Sequence, residues 1–270
     1  MNAPAFGKKY GPWAVVTGCA MGIGASFVEQ LAARGLNLVL VDNQAEPVAE
    51  QAGRLRSRVD VRECIVDLSD AVQVSRALES MADLEIGLLV ANAAHAATAP
   101  WLEIPLEDKL RQIQVNCVAV TQMVDILSRA MAQRGRGGII MMSSMAARVG
   151  SPLVATYAAT KAFDLILAES LWAELGEQGI DVLGVLPGAT RTPGFEGSLG
   201  ARAKVPSGLR IMESGDVVRE ALDALGRQPS IAAGSFNRFA GTLLQRFLPR
   251  KTAIGMMAKT TRAMYPKAVR

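Results

Sequence analysis

The chain has 270 residues, 50% of them apolar and 20% charged, which is enough material for a folded core and excludes a disordered protein. The net charge of +4 is uneven: residues 235–270 contain eight basic residues and no acidic one, which leaves −4 for residues 1–234. An even basic coat for nucleic acid is therefore excluded. Three isolated cysteines and a single histidine, His95, predict neither disulfides nor a metal site, and they favour a cytoplasmic protein.

Short apolar runs alternate with longer helical patterns along most of the chain. Strands are predicted at residues 13–17, 36–41, 61–66, 86–90, 138–142, 181–186 and 231–233, and helices at residues 23–34, 45–58, 71–83, 106–133, 153–178 and 216–225. Because most of the strand segments are continuously apolar, we expect both faces of the sheet to be buried. The pattern predicts an α/β fold, a Rossmann-type doubly wound parallel sheet of about seven strands with helices on both faces.

Two segments depart from this alternation. Residues 187–215 are rich in glycine and proline and predict a mobile loop, whose part 189–215 would cover a substrate. Residues 235–270 predict a basic amphipathic extension of two helices separated by Pro249. Packing on the substrate loop or on another subunit is the simpler interpretation of this extension, and peripheral contact with anionic lipid is the alternative.

A glycine-rich turn follows the first predicted strand, between Thr17 and the first helix. Gly18, Gly22 and Gly24 permit a tight turn and let a pyrophosphate approach the N-terminus of the helix. A close strand-to-helix turn without a ligand also needs glycines, so this turn alone leaves both interpretations open.

Asp42 supports the nucleotide interpretation, because it ends the second strand 24 residues after Gly18. A carboxylate near this offset binds the adenosine ribose in dinucleotide sites; the alternative is a carboxylate at the N-terminus of the next helix. If Asp42 binds the ribose, its charge would repel the 2′-phosphate of NADP. No Lys or Arg occupies residues 19–21 or 43 to offset that repulsion. The sequence therefore predicts NAD rather than NADP, bound by a single domain at residues 1–234.

Tyr157 and Lys161 are four residues apart on a predicted helix, so both side chains lie on one face. An ammonium at that spacing favours the phenolate electrostatically. Ser144 ends the preceding strand, from where its hydroxyl would share a carbonyl oxygen with the phenol. Each feature also has a simpler interpretation when it is taken alone. Tyr157 and Lys161 would lie on a solvated helix face, and Ser144 would be a turn residue at the end of a strand.

With these residues the sequence resembles the short-chain dehydrogenase/reductase family over about residues 10–233. The resemblance rests on the order and spacing of the Thr-Gly-x-x-x-Gly-Ile-Gly turn at 17–24, Asp67, Asn92-Ala93, Asn116, Ser144, Tyr157-x-x-x-Lys161 and Pro187-Gly188 leading to Thr192. Two positions depart from the family pattern: Ala94 stands in place of a glycine, which predicts lower cofactor affinity, and Thr190 in place of a hydrophobic residue.

The resemblance implies a role for each matching residue. Tyr157 would be the general acid/base, Lys161 would hold the nicotinamide ribose, Ser144 would orient the substrate oxygen, and Asn116 would anchor a water linked to Lys161. By itself Asn116 would be interpreted as a buried helix amide, and Asp67 as a helix N-cap. The implied cofactor contacts are Gly18, Gly22, Ile23, Gly24, Asp42, Asp67, Leu68, Asn92, Tyr157, Lys161, Pro187, Gly188, Thr190 and Thr192.

The predicted reaction is reversible hydride transfer between the nicotinamide and a secondary alcohol or ketone, with substrate contacts from Ser144 and Tyr157. Apolar side chains in the substrate loop favour a steroid-like or fatty-chain substrate: Phe195, Leu199, Val205, Leu209, Ile211 and Met212. The alternatives are a 3-oxoacyl thioester reductase that uses NADPH and a non-catalytic nucleotide-binding regulator. The family also implies a homo-oligomer, a dimer or a tetramer. No role is assigned to His95.

Overall fold

A parallel sheet lies at the centre of residues 3–198, 210–246 and 248–265, the part of the chain that the structure, a computed structural model, describes. Its strands, with the two of a small second sheet, are β1 Trp13–Thr17, β2 Asn37–Asp42, β3 Val61–Ile65, β4 Ile86–Ala91, β5 Gly137–Met142, β6 Ile180–Leu186, β7 Thr190–Arg191, β8 Met212–Glu213 and β9 Ser230–Ala232. The main sheet has the order β3-β2-β1-β4-β5-β6-β9, and β7 pairs with β8. The predicted seven-stranded α/β sheet is confirmed.

Helices connect the strands and cover both faces of the sheet. They are α1 Ala3–Tyr10, α2 Gly22–Ala32, α3 Ala45–Leu55, α4 Ala71–Ser80, α5 Leu106–Ile113, α6 Ala119–Arg134, α7 Ala155–Gly176, α8 Pro193–Ser198, α9 Ser214–Ala224, α10 Ser235–Arg246 and α11 Arg250–Met264. A π-helical segment, Gln114–Val118, joins α5 to α6, so the single helix predicted at 106–133 changes its hydrogen-bond pattern midway. Such segments are frequent at functional sites.

Alternate residues of the strands enter two apolar layers. On one face, residues such as Leu40 and Val90 pack with α2 and α9, and on the other, residues such as Val39 and Leu89 pack with α6. Side chains of successive strand residues point to opposite faces, which is why continuously apolar strands were the correct signal for a sheet covered on both sides.

The structure contains one helix that the sequence did not predict, and regular elements within one predicted loop. Residues 3–10, given no structure from the sequence, form α1, whose Phe6 and Tyr10 are buried against the sheet. The loop predicted at 187–215 contains α8, β7 and β8 in its described parts. Leu199, Val205 and Leu209 of that loop lie outside the described residues, as do Phe247 and residues 266–270 of the extension.

The strand order reverses between β1 and β4, which are neighbours although three connections separate them in sequence. In sheets of this kind, ligands bind in the crevice beyond the carboxyl ends of the strands at the reversal. The glycine-rich turn at residues 18–24 follows β1 and the loop at residues 92–95 follows β4, so both start at this crevice. Within the described ranges, no helix is long and apolar enough to cross a membrane.

Candidate active site

The glycine turn between β1 and α2 is shaped by backbone conformations and close contacts that side chains would prevent. Gly18 and Gly22 have φ values of +64° and +61°, where glycine has no steric cost. A Cβ on Gly24 would lie 1.9 Å from the carbonyl oxygen of Gly18. All three predicted glycines therefore stand where only glycine fits.

The N-terminus of α2 faces this turn without a side-chain cap. Met21, the capping residue, has an extended backbone and makes no side-chain hydrogen bond, and the first turn of α2 contains no acidic residue. Backbone N–H groups of Gly22, Ile23 and Gly24 belong to the first turn of a helix, where the i−4 carbonyl is lacking. The turn therefore presents uncapped donors of the kind that a diphosphate group requires.

Asn92 braces the turn from β4. Its side-chain amide donates to the carbonyl oxygens of Thr17 and Gly18 at 2.9 and 3.0 Å, and its backbone N–H donates to Oγ1 of Thr17 at 2.9 Å. The amide is thus bound to the protein at the position that the resemblance assigned to the adenosine side of the cofactor. Its visible effect is to fix the two carbonyls that shape the turn.

Asp42 lies at the end of β2 with its carboxylate against the same turn. Oδ2 accepts from the backbone N–H of Ala20 at 2.9 Å, and Oδ1 accepts from that of Gln44 at 3.2 Å. Gln44, the N-cap position of α3, makes no side-chain capping bond, so Asp42 contacts both the glycine turn and the residue that precedes α3. Burial, and then the charge of Asp42, raise the pKa of the Cys19 thiol, which therefore stays neutral beside the carboxylate.

Asp67 and Leu68 follow β3, and their side chains are already engaged. The Asp67 carboxylate accepts from Ser69 and from the guanidinium of Arg111, the latter at 2.8 Å. Burial acts to raise the pKa of Asp67, but these hydrogen bonds and the charge of Arg111 lower it overall. Asp70, not Asp67, caps α4, and Leu68 is buried in the core.

Tyr157 and Lys161 lie on one face of α7, as their spacing predicted. The Lys161 ammonium is 5.9 Å from the centre of the Tyr157 ring. It donates to the carbonyl oxygen of Met142 at 2.7 Å and to Oδ2 of Asp164 at 3.0 Å. Burial acts to lower the pKa of Lys161, but the adjacent Asp164 carboxylate turns the net shift upward. Lys161 is therefore a buried cation with an anionic partner.

Two serines after β5 have different partners. Ser143 is buried, and its hydroxyl donates to the carbonyl oxygen of Lys161 at 2.6 Å, which joins β5 to α7. Ser144 is partly exposed and caps a 3₁₀ turn, Met145–Arg148, by accepting from the N–H of Ala146 at 3.2 Å. Of the two, Ser144 is the one whose hydroxyl can also reach a ligand in the crevice.

Asn116 is buried in the π-helical segment, where its side chain ties three elements together. Oδ1 accepts from the N–H of His95 at 2.8 Å, and Nδ2 donates to the His95 carbonyl and to Oγ1 of Thr160, both at 2.9 Å. Because Thr160 precedes Lys161 on α7, Asn116 links the loop after β4 to the predicted catalytic helix. His95 enters this network through its backbone.

The segment after β6 closes on the glycine turn. A Cβ on Gly22 would lie 2.9 Å from the methyl carbon of Thr192, so these two predicted residues are in contact. The carbonyl of Pro187 accepts from the N–H of Met145 at 3.0 Å. The hydroxyl of Thr190, which departs from the family pattern, donates to the carbonyl of Gly188 at 3.1 Å.

Two contributors to this site escaped the sequence analysis. Asp164 was detectable as an acid three residues after Lys161 in an otherwise apolar stretch of helix. Asn237 of α10 is buried against Gly188, and Gly241 packs on Met145 and Arg148. Helical spacing predicted α10 itself, but no local signal indicated that its polar residue contacts the Pro-Gly turn. Among the residues described, no group of His, Cys, Asp and Glu is placed to hold a metal ion.

Comparison with known proteins shows two kinds of relative. A family model described as short chain dehydrogenase matches residues 12–200. Very-long-chain 3-oxoacyl-CoA reductase of Neurospora crassa is 34% identical over 188 residues, which are 67% of this chain and 56% of that protein. 7beta-hydroxysteroid dehydrogenase of Collinsella aerofaciens is 29% identical over 234 residues, which are 86% of this chain and 89% of that protein. The chain thus matches only a little over half the length of the reductase.

Solved structures extend the similarity to almost the whole chain. A structure described as giving insights into 7beta-hydroxysteroid dehydrogenase stereoselectivity has a TM-score of 0.87 at 27% identity and covers 95% of this chain and 99% of its own. A short-chain dehydrogenase from Sphingobium yanoikuyae in complex with NADPH has a TM-score of 0.73 at 31% identity, with coverage of 82% and 87%. Sequence and fold agree, and the chain belongs to the short-chain dehydrogenase/reductase family, whose members are oxidoreductases that bind a nicotinamide cofactor.

Proposed function

We propose that this oxidoreductase transfers hydride reversibly between a nicotinamide cofactor and a secondary alcohol or ketone of an apolar substrate, with Tyr157 as general acid/base. The observation that carries the proposal is the Tyr157 and Lys161 pair on α7, with Lys161 buried and held as a cation beside the phenol ring. A charged group held in this way is typical of a reaction site rather than of a solvated helix face.

The cofactor would lie across the carboxyl ends of β1 and β4. N–H groups of the turn at Gly18, Gly22, Ile23 and Gly24 would bind its pyrophosphate, and Asp42 its adenosine ribose. Further contacts would come from Asp67, Leu68 and Asn92 on the adenosine side, and from Pro187, Gly188, Thr190 and Thr192 on the nicotinamide side. When bound, the nicotinamide supplies the hydride chemistry, and the protein supplies position and charge.

The chain's own residues would carry out the proton transfer. Tyr157 would give its hydroxyl proton to the substrate oxygen during reduction and take it back during oxidation, and Ser144 would hold that oxygen by a hydrogen bond. Lys161 has three ammonium protons, of which two bind Met142 and Asp164. The third would be shared between the ribose and a water that Asn116 would hold.

We propose NAD as the preferred cofactor. The Asp42 carboxylate lies at the turn where the adenosine ribose of a bound dinucleotide would sit, and a 2′-phosphate there would meet a like charge. No basic residue occupies positions 19–21 or 43 to compensate. One structural relative is a complex with NADPH, so members of this fold also bind the phosphorylated cofactor.

A bulky apolar substrate is supported by the relatives and by the surroundings of Ser144. One relative is a hydroxysteroid dehydrogenase by name, and its fold covers nearly the whole chain. Behind the 3₁₀ turn that follows Ser144, Met145 and Ala147 pack on a small apolar cluster with Leu165 and Leu186. α10 packs on the same turn, so the extension would form a wall of the substrate site.

Reduction of a 3-oxoacyl thioester is the second candidate. It is favoured by the 34% identity to very-long-chain 3-oxoacyl-CoA reductase, whose name specifies a long apolar acyl chain. The two candidates share the ketone and the proton chemistry, and they differ in the group attached to the ketone. Their cofactors also differ, because the negative charge of Asp42 favours NAD for the first candidate, whereas the thioester reductase would use NADPH.

Self-association is supported by an apolar surface on two helices near the site. Leu110 and Ile113 of α5 and Phe163 and Ile166 of α7 are exposed, and α5 packs against α7. Water contact at such a patch is unfavourable, and a second copy of the chain would remove it. We therefore propose a homo-oligomer, a dimer or tetramer, which sedimentation velocity would detect.

Peripheral lipid contact remains the proposal for the outer side of the extension. Phe236 and Phe239 of α10 and Ile254 and Met256 of α11 are exposed, and the extension contains no acidic residue. Exposed apolar side chains among basic ones suit an anionic membrane surface. Sedimentation with anionic and with neutral vesicles tests this, and equal recovery with both would refute the proposal.

The central experiment measures turnover of one substrate panel with NAD(H) and with NADP(H). The panel contains steroid alcohols and ketones, fatty-chain secondary alcohols, and 3-oxoacyl-CoA thioesters. We expect NAD-linked turnover of an apolar alcohol or ketone, abolished in Tyr157→Phe while cofactor binding is retained. NADPH-linked turnover of the thioesters alone would establish the second candidate, and cofactor binding without any turnover would indicate a non-catalytic regulator.

A further inference from the structure

Asp164 is a buried acid that the proposed reaction does not use. It lies one turn after Lys161 on α7, and the two side chains are only 2% and 3% exposed. Oδ2 accepts from the Lys161 ammonium at 3.0 Å, whereas Oδ1 has no hydrogen-bond partner among the residues that the structure describes. A buried carboxylate is costly unless a cation offsets its charge, so Asp164 depends on Lys161.

Tyr157, Lys161 and Asp164 form a single stripe along α7. Their spacings of four and three residues place the side chains one above the next on the same face. The cation stands in the middle, 5.9 Å from the centre of the phenol ring and 3.0 Å from the carboxylate. The Lys161 ammonium is therefore nearer to the phenol than the Asp164 carboxylate is. The negative charge of Asp164 offsets part of the effect that the positive charge of Lys161 has on the phenol.

We propose that Asp164 is a positioning residue that holds Lys161 against β5 and offsets part of its charge, so that Tyr157 keeps its proton to higher pH than Lys161 alone would allow. The inference rests on the proposed role of Tyr157 as general acid/base. A phenol that is protonated near neutral pH acts as an acid, which favours reduction of a ketone over oxidation of an alcohol under those conditions.

The charge of Asp164 also affects the pKa of a second group. Cys117, in the π-helical segment that packs on α7, has its thiol pKa raised to about 11, first by burial and then by the charge of Asp164. Lys161 opposes this shift but does not cancel it. Both charges of the ion pair therefore lie close enough to act on the Cys117 thiol.

The other elements packed against this stretch contribute both uncharged and charged groups. β5 contributes uncharged groups, the Met142 carbonyl and the Ser143 hydroxyl. The 3₁₀ turn contributes Arg148, which interacts with Glu169. The loop after β4 contributes His95, through its backbone contacts with Asn116. β6 carries Asp181 at its second residue, paired with Lys9 and Tyr10. α5, which also packs on α7, carries Glu107, Asp108, Lys109 and Arg111.

The test measures ionisation of Tyr157 directly, in cofactor-free protein, from the absorbance of tyrosinate as pH is raised. The chain has three tyrosines, and subtraction of the Tyr157→Phe curve from the native curve isolates Tyr157. We expect Asp164→Asn to lower the midpoint of this difference curve by about half a pH unit or more, because the ammonium then acts without its counter-charge. The amide keeps an oxygen for the Lys161 hydrogen bond.

Glu169→Gln is the matched control, since it removes one negative charge from the same helix. Glu169 accepts from Ser230 at 2.7 Å and lies off the stripe, so its variant should leave the midpoint unchanged. An unchanged or raised midpoint in Asp164→Asn, or an equal shift in Glu169→Gln, would overturn the proposal. If Asp164→Asn does not fold, Asp164→Ser carries the same test. If no substrate is turned over, the proposed function fails, and the titration still decides this inference.

Discussion

Asn237 of α10 packs directly on Gly188, the glycine of the Pro-Gly turn that follows β6. A Cβ on Gly188 would lie 2.6 Å from Nδ2 of Asn237, and that nitrogen donates to the carbonyl of Ala233 at 2.6 Å. The extension is thus joined to a turn that we propose contacts the nicotinamide. A substitution at either residue should therefore change how much the other residue contributes to stability.

We expect Gly188→Ala to destabilise the protein by about 1–3 kcal/mol, because the new methyl group displaces a buried amide that is held by α10. Asn237→Ala should also destabilise it, but the double variant should lose less than the two single losses combined, since the smaller side chain makes room for the methyl. Denaturant unfolding of the four proteins measures the coupling. Strict additivity would show that the contact has no energetic effect.

Gly24→Ala should abolish cofactor binding, because its Cβ would lie 1.9 Å from the Gly18 carbonyl oxygen and must displace the turn or the start of α2. Gly53→Ala in α3 is the matched control. A Cβ at Gly53 meets no atom within 4 Å, so we expect a gain of about 0.5–1 kcal/mol from reduced backbone entropy. Cofactor titration by fluorescence and thermal unfolding measure the two effects. Normal binding by Gly24→Ala would contradict the assignment of the turn.

Asp42→Asn should raise the ratio of kcat/KM with NADP to that with NAD by about tenfold or more, because it removes the charge that a 2′-phosphate would meet. The amide oxygen can still accept from Ala20, so the turn should keep its shape. Steady-state kinetics with both cofactors, for native and variant protein, give the ratio. A ratio unchanged by the substitution would place the ribose away from Asp42.

Alkaline conditions should weaken the attachment of α1. Burial, and then the hydrogen bond to Asp181, raise the pKa of Tyr10. Since the folded value lies above the unfolded one, the stabilisation is complete below the unfolded value of about 10 and is lost as pH rises above it. Tyr10→Phe lacks this ionisation, so its free energy of unfolding should fall less steeply above pH ~10. Denaturant unfolding at several pH values compares the two slopes, and parallel slopes would exclude Tyr10 as the cause.

Much of the fold followed from local patterns. Apolar runs located the six longer strands of the main sheet to within a residue or two. The central strands are buried on both faces and contain few polar residues, whereas the edge strand β3 has Arg62 and Glu63 in its middle and is only partly buried. α1 was missed because Phe6 and Tyr10 gain their stability from the sheet below them, and a helix of eight residues gives too short a pattern to detect. α8, in the predicted loop, was missed because it has only 6 residues, of which Pro193, Gly194 and Gly197 are typical of loops.

The sequence by itself determined which chemical groups are available and their order along the chain: the glycine turn, Asp42, Ser144, Tyr157 and Lys161. These depend on local spacing, and a turn or a helix expresses such spacing directly. The tertiary structure decided the partners. Thr192 meets Gly22, Asn116 binds Thr160, and Asn237 fills the space beside Gly188, in each case between segments remote in sequence. Even Asp164, only three residues from Lys161, acquires its significance from burial, because a carboxylate beside an ammonium acts strongly only where water is excluded.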